Sequence, residues 1–280
     1  MGAVQAREGS WCDDARGREL FYRLWEPAQP RGLVVLVHGF GEHGGRYDAF
    51  ARQLAAQGLT VACPDLWGHG RSDGRRGDVV RFADYVEDLD AFTQQVAAPL
   101  NPAARLAVFG HSFGGLLMVH WAMQGPHPWS CSILQSPLFG VGFPVPKWKA
   151  RLSRTLGDVW PTLSMPTGLD PAWLSRDPEV ARRYRNDPLV HHRITARGYA
   201  ALQAAMQQAG ESAARLTMPT LVLYGTADRV ISVAACEAFA ARLTCEKRII
   251  GFPECSHELH HEPVASDVVG RVVEWIRAHE

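Results

Sequence analysis

Residues 105–115 read RLAVFGHSFGG and combine a buried strand with a sharp turn. The apolar run at 106–109 predicts a strand covered on both faces, as in a parallel sheet. Gly110, Ser112 and Gly114 then form a G-x-S-x-G pattern, and the apolar residues after it predict a helix. Such a turn lifts its central side chain out of the sheet at a helix N-terminus, where the helix dipole favours negative charge. The pattern therefore indicates a nucleophile at Ser112, with glycines where larger side chains would clash.

The alternation of apolar strands and helices extends along most of the chain. Further strands are predicted at 33–37, 59–63, 131–134, 220–224 and 248–251. Helices are predicted at 47–56, 82–97, 114–123, 233–242 and 264–277. This order predicts an α/β fold, a mainly parallel sheet with helices wound on both faces. Residues 20–25 alternate less cleanly and predict an antiparallel edge with the residues around Trp11.

The alternation is interrupted at 139–205, a stretch rich in proline that contains no convincing buried strand. Residues 220–224 then resume the sheet pattern. We expect 139–205 to be a helical insertion between two core strands, with the core formed by 1–138 and 206–280. Such an insertion would form a cap over the carboxyl ends of the strands, where open α/β sheets place their ligand sites.

Composition narrows the classes of partner. The 280 residues contain 29 Lys+Arg and 29 Asp+Glu, so the formal net charge is zero and the basic footprint of a nucleic-acid binder is missing. We expect a small-molecule substrate and no nucleic-acid partner. None of the six cysteines forms a CxxC pair, which favours reduced cysteines in a cytoplasmic protein. The N-terminus acquires charge too early for a signal peptide, and no run reaches the roughly 20 apolar residues of a membrane span, so solubility is expected.

An acid and a base are expected after the nucleophile, in that order along the chain. Asp228 follows the predicted strand 220–224, and His257 follows the last predicted strand. His257 would accept the Ser112 proton and pass it to the leaving group, while Asp228 would fix the imidazole tautomer. An alternative for Asp228 is a turn residue that caps the following helix. Of the other histidines, His191 in the insertion is predicted to face solvent.

The segment around His257 also matches a metal motif. Residues 257–261 read HELHH, the H-E-x-x-H pattern in which two histidines on one helical face bind zinc, here His257 and His261. Pro253 and Pro263 bracket the segment and leave little room for the long helix that such sites use. A zinc peptidase is therefore the remote alternative, and neither a metal nor another cofactor is expected.

Three segments together resemble a known family. Residues 38–47 (HGFGEHGGRY), 65–74 (DLWGHGRSDG) and 110–115 (GHSFGG) resemble the motifs of monoacylglycerol lipases and their lysophospholipase-like relatives among the α/β-hydrolases. The family usually has Met where Phe113 stands. The resemblance spans about 20–277 and is weak in the cap. It implies the α/β-hydrolase fold and a serine hydrolase that cleaves carboxylic esters of lipids, monoacylglycerols first. A lysophospholipase, a broad short-chain carboxylesterase and a non-catalytic binder remain alternatives.

The resemblance also implies binding residues. The backbone N–H groups of Phe40 and Phe113 would form the oxyanion hole. Glu42, Arg46 and His260 would line the pocket for glycerol; equally, Glu42 and Arg46 would pair and brace the oxyanion loop. The cap would supply the acyl side and allow transient contact with a membrane surface. Its large apolar residues must also form the cap's own core, so none is assigned to a ligand: Phe139, Phe143, Trp148, Trp160, Met165 and Trp173. The oligomeric state is left open.

Overall fold

The computed structural model describes residues 3–13, 16–102, 104–125, 127–144 and 159–279. The strands of the main sheet are β1 Gln5–Asp13, β2 Arg18–Glu26, β3 Gly32–Val37, β4 Leu59–Pro64, β5 Leu106–His111, β6 Trp129–Gln135, β9 Thr220–Gly225 and β10 Lys247–Phe252. Two short strands, β7 Ser164–Pro166 and β8 Arg193–Thr195, lie apart from it. The described helices are α1 Asp48–Ala56, α2 Phe82–Phe92, α3 Phe113–Ala122, α4 Pro178–Asn186, α5 Ala196–Ser212, α6 Val233–Arg242 and α7 Ala265–Ala278.

The main sheet has the order β1-β2-β4-β3-β5-β6-β9-β10. Strands β4, β3, β5, β6, β9 and β10 pair in parallel, and β1 and β2 form an antiparallel hairpin. Trp11 pairs with Leu20 in that hairpin, as expected, but β2 also pairs with β4, so β1 is the edge strand. The predicted α/β architecture, a mainly parallel sheet with flanking helices, is confirmed.

Apolar layers cover both faces of the sheet. Every residue of β3, β4 and β5 is buried, which explains why these strands are continuously apolar rather than alternating. One layer includes Leu117 and Trp121 of α3, and the other includes Phe50 and Leu54 of α1. Each such side chain contributes about 2 kcal/mol through burial. The two layers hold the carboxyl ends of the central strands in fixed positions.

The segment between β6 and β9 contains α4, α5 and the β7–β8 ribbon, in which Met165 pairs with Ile194. The ribbon was not predicted because strands of three residues are too short to show a period. Helix α5 continues to Ser212, past the expected boundary at 205, and Leu202 and Met206 pack into the core. The predicted cap residue Trp148 lies outside the described residues.

Helix ends in this segment follow local capping rules. Asp177 caps α4 by accepting from the Glu179 N–H, and Thr195 caps α5 by accepting from the Gly198 N–H. Within the part of the chain that the structure describes, each helix is too short or too polar to cross a bilayer.

Candidate active site

Ser112 lies between β5 and α3 in a conformation that residues other than glycine rarely adopt, with φ 52° and ψ −113°. Its N–H donates to the Gln135 carbonyl (3.0 Å), and its carbonyl accepts from the N–H groups of Leu116 (3.2 Å) and Leu138 (3.0 Å). A non-glycine residue held at positive φ costs about 1–3 kcal/mol and persists only where its surroundings fix it. Here β6 and the segment after it fix the turn.

The two glycines of the motif are required by close packing. A Cβ atom at Gly110 would lie 2.3 Å from the Met118 sulfur, and one at Gly114 would lie 2.1 Å from the Val37 carbonyl oxygen. Helix α3 therefore approaches β3 and β5 more closely than any side chain permits. Close packing therefore explains the two glycines of the G-x-S-x-G pattern, as the sequence predicted.

Asp228 and His257 are brought together from the loops after β9 and β10. The two atoms that join them, His257 Nδ1 and Asp228 Oδ2, lie 2.7 Å apart, and both side chains are buried. The other carboxylate oxygen accepts from the N–H groups of Val230 (2.8 Å) and Ile231 (3.1 Å). Burial disfavours the imidazolium, but the Asp228 charge and hydrogen bond outweigh it and raise the pKa of His257.

Asp228 also fills the role of a turn residue, since its Oδ1 stabilises its own turn. The N-cap of α6 is a different residue, because Ser232 Oγ accepts from the Ala235 N–H at 3.2 Å. The alternative in which Asp228 caps this helix is therefore wrong. Its second oxygen remains available to the imidazole.

Phe40 follows the end of β3, and Phe113 is the first residue of α3. Their rings contact each other edge to face, with centroids 5.5 Å apart. Among the hydrogen bonds of the described residues, neither backbone N–H has an acceptor. Both amides thus lack a protein acceptor, and Phe40 lines the same pocket as Ser112; their role in an oxyanion hole stays a prediction.

The loop that carries Phe40 contacts the segment between β6 and β9. Gly41 has φ 81°, and a Cβ atom there would lie 2.5 Å from the His191 carbonyl oxygen. The His191 N–H donates to the Gly41 carbonyl at 2.8 Å. The His191 ring lies 5.4 Å from the Phe40 ring and 4.9 Å from the His69 ring, measured between centroids. The expectation that His191 faces solvent is wrong, since it is half-buried against this loop and burial lowers its pKa to about 4.

Glu42 is a buried carboxylate that binds the same loop. Its Oε1 accepts from the Gly39 N–H (2.7 Å) and from the Tyr47 hydroxyl (2.7 Å). Its Oε2 lies 3.2 Å from Arg46 Nε. This is the arrangement of the bracing alternative, in which Glu42 and Arg46 pair and hold the loop.

Arg46 and His260 are placed behind the pocket rather than in its wall. The Arg46 guanidinium lies 2.6 Å from Glu258 Oε2 and 4.5 Å from the centroid of the Tyr184 ring. The His260 ring stacks on Tyr47, with centroids 4.5 Å apart, and is buried. Of the predicted alcohol-side residues, Glu42 alone is among those that line the described pocket.

Ser112 and His257 share one pocket between the core and the insertion. Its core side includes Gly39, Phe40, Glu42, His111, Ser112, His257 and Glu258. The other lining residues are mostly apolar and include Leu138, Phe143, Leu169, Leu174, Ile194 and Leu202. The sequence did not identify Tyr184, His191 or Glu258 as lining residues, because distant segments bring them there and no local pattern marks them.

The H-E-x-x-H segment does not form a zinc-binding helix. Residues Leu259–His261 make a single 3-10 turn. His261 Nε2 lies 3.0 Å from the Arg46 carbonyl oxygen and its Nδ1 lies 2.7 Å from Glu258 Oε2, while His257 Nδ1 binds Asp228. Within the described residues, the group with ligand spacing is Glu258, His260 and His261, and the Arg46 cation is bound to that carboxylate. The arrangement gives the zinc alternative no support.

Comparisons with known proteins agree with this geometry. Residues 28–264 match the family described as "Serine aminopeptidase, S33". The chain is similar to the monoacylglycerol lipase of Mycolicibacterium smegmatis, with 35% identity over 94% of each chain. It is 32% identical to the human monoglyceride lipase over 94% of this chain and 88% of that one. The crystal structure of the Paleococcus ferrophilus monoacylglycerol lipase matches with a TM-score of 0.83 and 30% identity, over 99% of this chain and 100% of that one.

Proposed function

Because this chain belongs to the α/β-hydrolase family described as "Serine aminopeptidase, S33", we propose that it hydrolyses monoacylglycerols through an acyl-enzyme on Ser112. The family resemblance predicted from its motifs is confirmed, and the chain is a serine-dependent carboxylic ester hydrolase. The observation that carries the proposal is the placement of the buried His257–Asp228 pair and of Ser112 on one pocket.

In the proposed mechanism, Ser112 Oγ attacks the ester carbonyl carbon while His257 Nε2 takes its proton. The tetrahedral oxyanion receives hydrogen bonds from the N–H groups of Phe40 and Phe113, which are worth about 3 kcal/mol each. His257 then protonates the departing alcohol, and the acyl group remains on Ser112. Water attacks in the second half, with His257 again as the base, and releases the fatty acid. Asp228 stabilises the imidazolium in both halves.

The charge of the pocket wall supports a neutral alcohol. Glu42 and Glu258 are acidic, and no Lys or Arg is among the described residues that line the pocket. Both carboxylates are already paired with Arg46 behind the wall, so a phosphodiester head group would find no unpaired cation there, whereas glycerol hydroxyls need none. This favours monoacylglycerol over lysophospholipid as the substrate.

The apolar residues that line the pocket, whose volume is about 110 Å³, support the acyl part of an ester. The side chains of Phe143, Leu169, Leu174 and Leu202 lie in the segment between β6 and β9 and would exclude water from the methylene groups of an acyl chain. Each buried CH₂ contributes about 0.8 kcal/mol to transfer from water. Affinity should therefore rise with chain length until this wall is covered.

The experiment compares turnover of a monoacylglycerol, a lysophosphatidylcholine with the same acyl chain and a short-chain ester. We expect the monoacylglycerol to have the highest kcat/KM, and Ser112→Ala to lose activity toward all three. Higher kcat/KM for the lysophospholipid would replace the proposal with the phospholipase alternative. Activity that survives in Ser112→Ala would reject the mechanism itself.

A further inference from the structure

Gln135 ends strand β6 beside the nucleophile and is fully buried. Its backbone carbonyl accepts the Ser112 N–H at 3.0 Å, and in the sheet it pairs with His111. A buried amide costs free energy unless its polar atoms are bonded, and an apolar side chain at the end of this apolar strand would avoid that cost. Packing alone therefore does not explain why a glutamine occupies this position.

The side-chain nitrogen of Gln135 contacts two imidazoles. Its Nε2 lies 2.7 Å from Nδ1 of His260 and 3.0 Å from Nδ1 of His111. In this orientation the amide nitrogen donates one hydrogen to each ring, so both Nδ1 atoms accept, while the amide oxygen has no hydrogen-bond partner among the described residues. Each ring is then neutral, with its hydrogen on Nε2. One side chain thus sets the same tautomer in two rings.

His111 lies next to the proposed base. The centroids of the His111 and His257 rings are 4.6 Å apart, and those of His111 and His260 are 5.1 Å apart. A positive charge on His111 would oppose formation of the His257 imidazolium, which the proposed mechanism requires at every proton transfer. Neutral neighbours leave that charge to be stabilised by Asp228.

We propose that Gln135 is a positioning residue that keeps His111 and His260 as neutral Nε2–H tautomers and so confines the catalytic proton to His257. The part that concerns His257 rests on the proposed function. Protonation of His111 or His260 at Nδ1 would direct a ring N–H at the amide N–H, and both hydrogen bonds could form again only if the amide rotated and the other ring moved its hydrogen to Nδ1. The amide therefore opposes a second basic site beside the nucleophile.

The burial and the charges around the three rings agree with this assignment. Burial holds the pKa of His111 and that of His260 well below the ordinary value, whereas Asp228 raises that of His257. Both rings face Arg46, which lies before α1, and Glu258 and His261 in the loop after β10; they also face each other. His257 faces His111, and the Tyr47 ring stacks on His260. One of three neighbouring imidazoles is basic.

The test observes the imidazole nitrogens of ¹⁵N-histidine-labelled protein by NMR, in the wild type, Gln135→Leu and Gln135→Glu. We expect Nε2–H tautomers at His111 and His260 in the wild type, without titration through neutral pH. In Gln135→Leu the tautomers should mix and kcat should fall about tenfold, with KM changed less than about twofold. Gln135→Glu presents an acceptor to both rings, so a new titrating imidazole should appear.

Ser132→Ala is the matched control. It lies on the same buried strand and loses the bond to Thr220 Oγ1 (2.9 Å), and it should keep wild-type tautomers and kcat. Wild-type Nδ1–H tautomers at both rings would overturn the proposal, as would Gln135→Leu with unchanged tautomers and kcat. If Gln135→Leu does not fold, the wild-type spectrum and the nearly isosteric Gln135→Glu still decide. The spectra need no substrate, so failure of the proposed function would be recognised separately, as activity retained by Ser112→Ala.

Discussion

The carboxylate of Glu42 accepts the backbone N–H of Gly39 at 2.7 Å and thereby holds the residue that precedes Phe40. The Tyr47 hydroxyl and the Arg46 guanidinium bind the same carboxylate. A charged acceptor that receives several donors makes short, strong hydrogen bonds. Glu42 therefore connects the start of α1 to the loop that carries one proposed oxyanion donor, and its contribution to catalysis is separable from contact with an alcohol.

Glu42→Ala should lower kcat about 100-fold on both a monoacylglycerol and an aryl ester that lacks glycerol, because a misplaced oxyanion donor affects every ester. Glu42→Gln retains an acceptor for the Gly39 N–H and should lose less. Steady-state kinetics on the two substrates measure this. A rise in KM confined to the glycerol ester would instead show that Glu42 acts by contacting the alcohol.

Activity should depend on pH through His257. The neutral imidazole is the base, and its pKa is raised by Asp228, so kcat/KM should fall as pH drops through a value above the ordinary 6.5 or so. Asp228→Asn removes the carboxylate that raises this pKa while burial, which lowers it, remains. The acid limb should then move to lower pH, and kcat should drop about 10⁴-fold. A limb that stays in place in Asp228→Asn would contradict the assigned pair.

Gly114→Ala should destabilise the protein, because its Cβ would lie 2.1 Å from the Val37 carbonyl oxygen. We expect a loss of about 3 kcal/mol in the free energy of unfolding, the upper range for overpacking. Gly270→Ala is the control, since nothing lies within 4 Å of a Cβ there and helix α7 would gain about 0.5–1 kcal/mol. Denaturant titration measures both, and equal effects would show that the close approach at Gly114 is not limiting.

Trp160 lies in the insertion with 59% of its surface exposed, beside Val159 at 79%. If the insertion meets a lipid surface, Trp160→Ser should weaken sedimentation with phosphatidylcholine vesicles and lower activity on vesicle-borne monoacylglycerol several-fold. Activity on a soluble short-chain ester should be unchanged and serves as the control. Unchanged vesicle binding by Trp160→Ser would show that Trp160 does not contact the membrane.

Local patterns in the sequence were enough to predict the sheet and to locate Ser112, Asp228 and His257 after its strands. The apolar run at 106–109 became β5 because both of its faces are covered, and a turn that needs glycine at Gly110 and Gly114 could be recognised from the letters alone. The helix predicted at 82–97 ends as an α-helix at Phe92 and continues through a π-helical turn to Ala97. Periodicity does not distinguish these two backbones.

Contacts between distant segments were beyond those patterns. His191 reaches the loop that carries Phe40 through a backbone hydrogen bond to Gly41, and Gln135 reaches His260 across 125 positions of sequence. A histidine outside any apolar pattern and a glutamine at the end of a strand look ordinary in sequence. Their partners are set by contacts with segments far away in the chain. For the same reason, the sequence associated Arg46 and His260 with the site but did not show that they lie behind the residues that line the pocket.

The most direct measurement is covalent labelling by a fluorophosphonate, with the modified peptide identified by mass spectrometry. We predict a single adduct on Ser112, lost in Ser112→Ala and formed much more slowly in His257→Ala, together with loss of monoacylglycerol hydrolysis in step with labelling. An adduct on another residue, or hydrolysis that persists after Ser112 is fully modified, would contradict the assignment of Ser112 as the nucleophile.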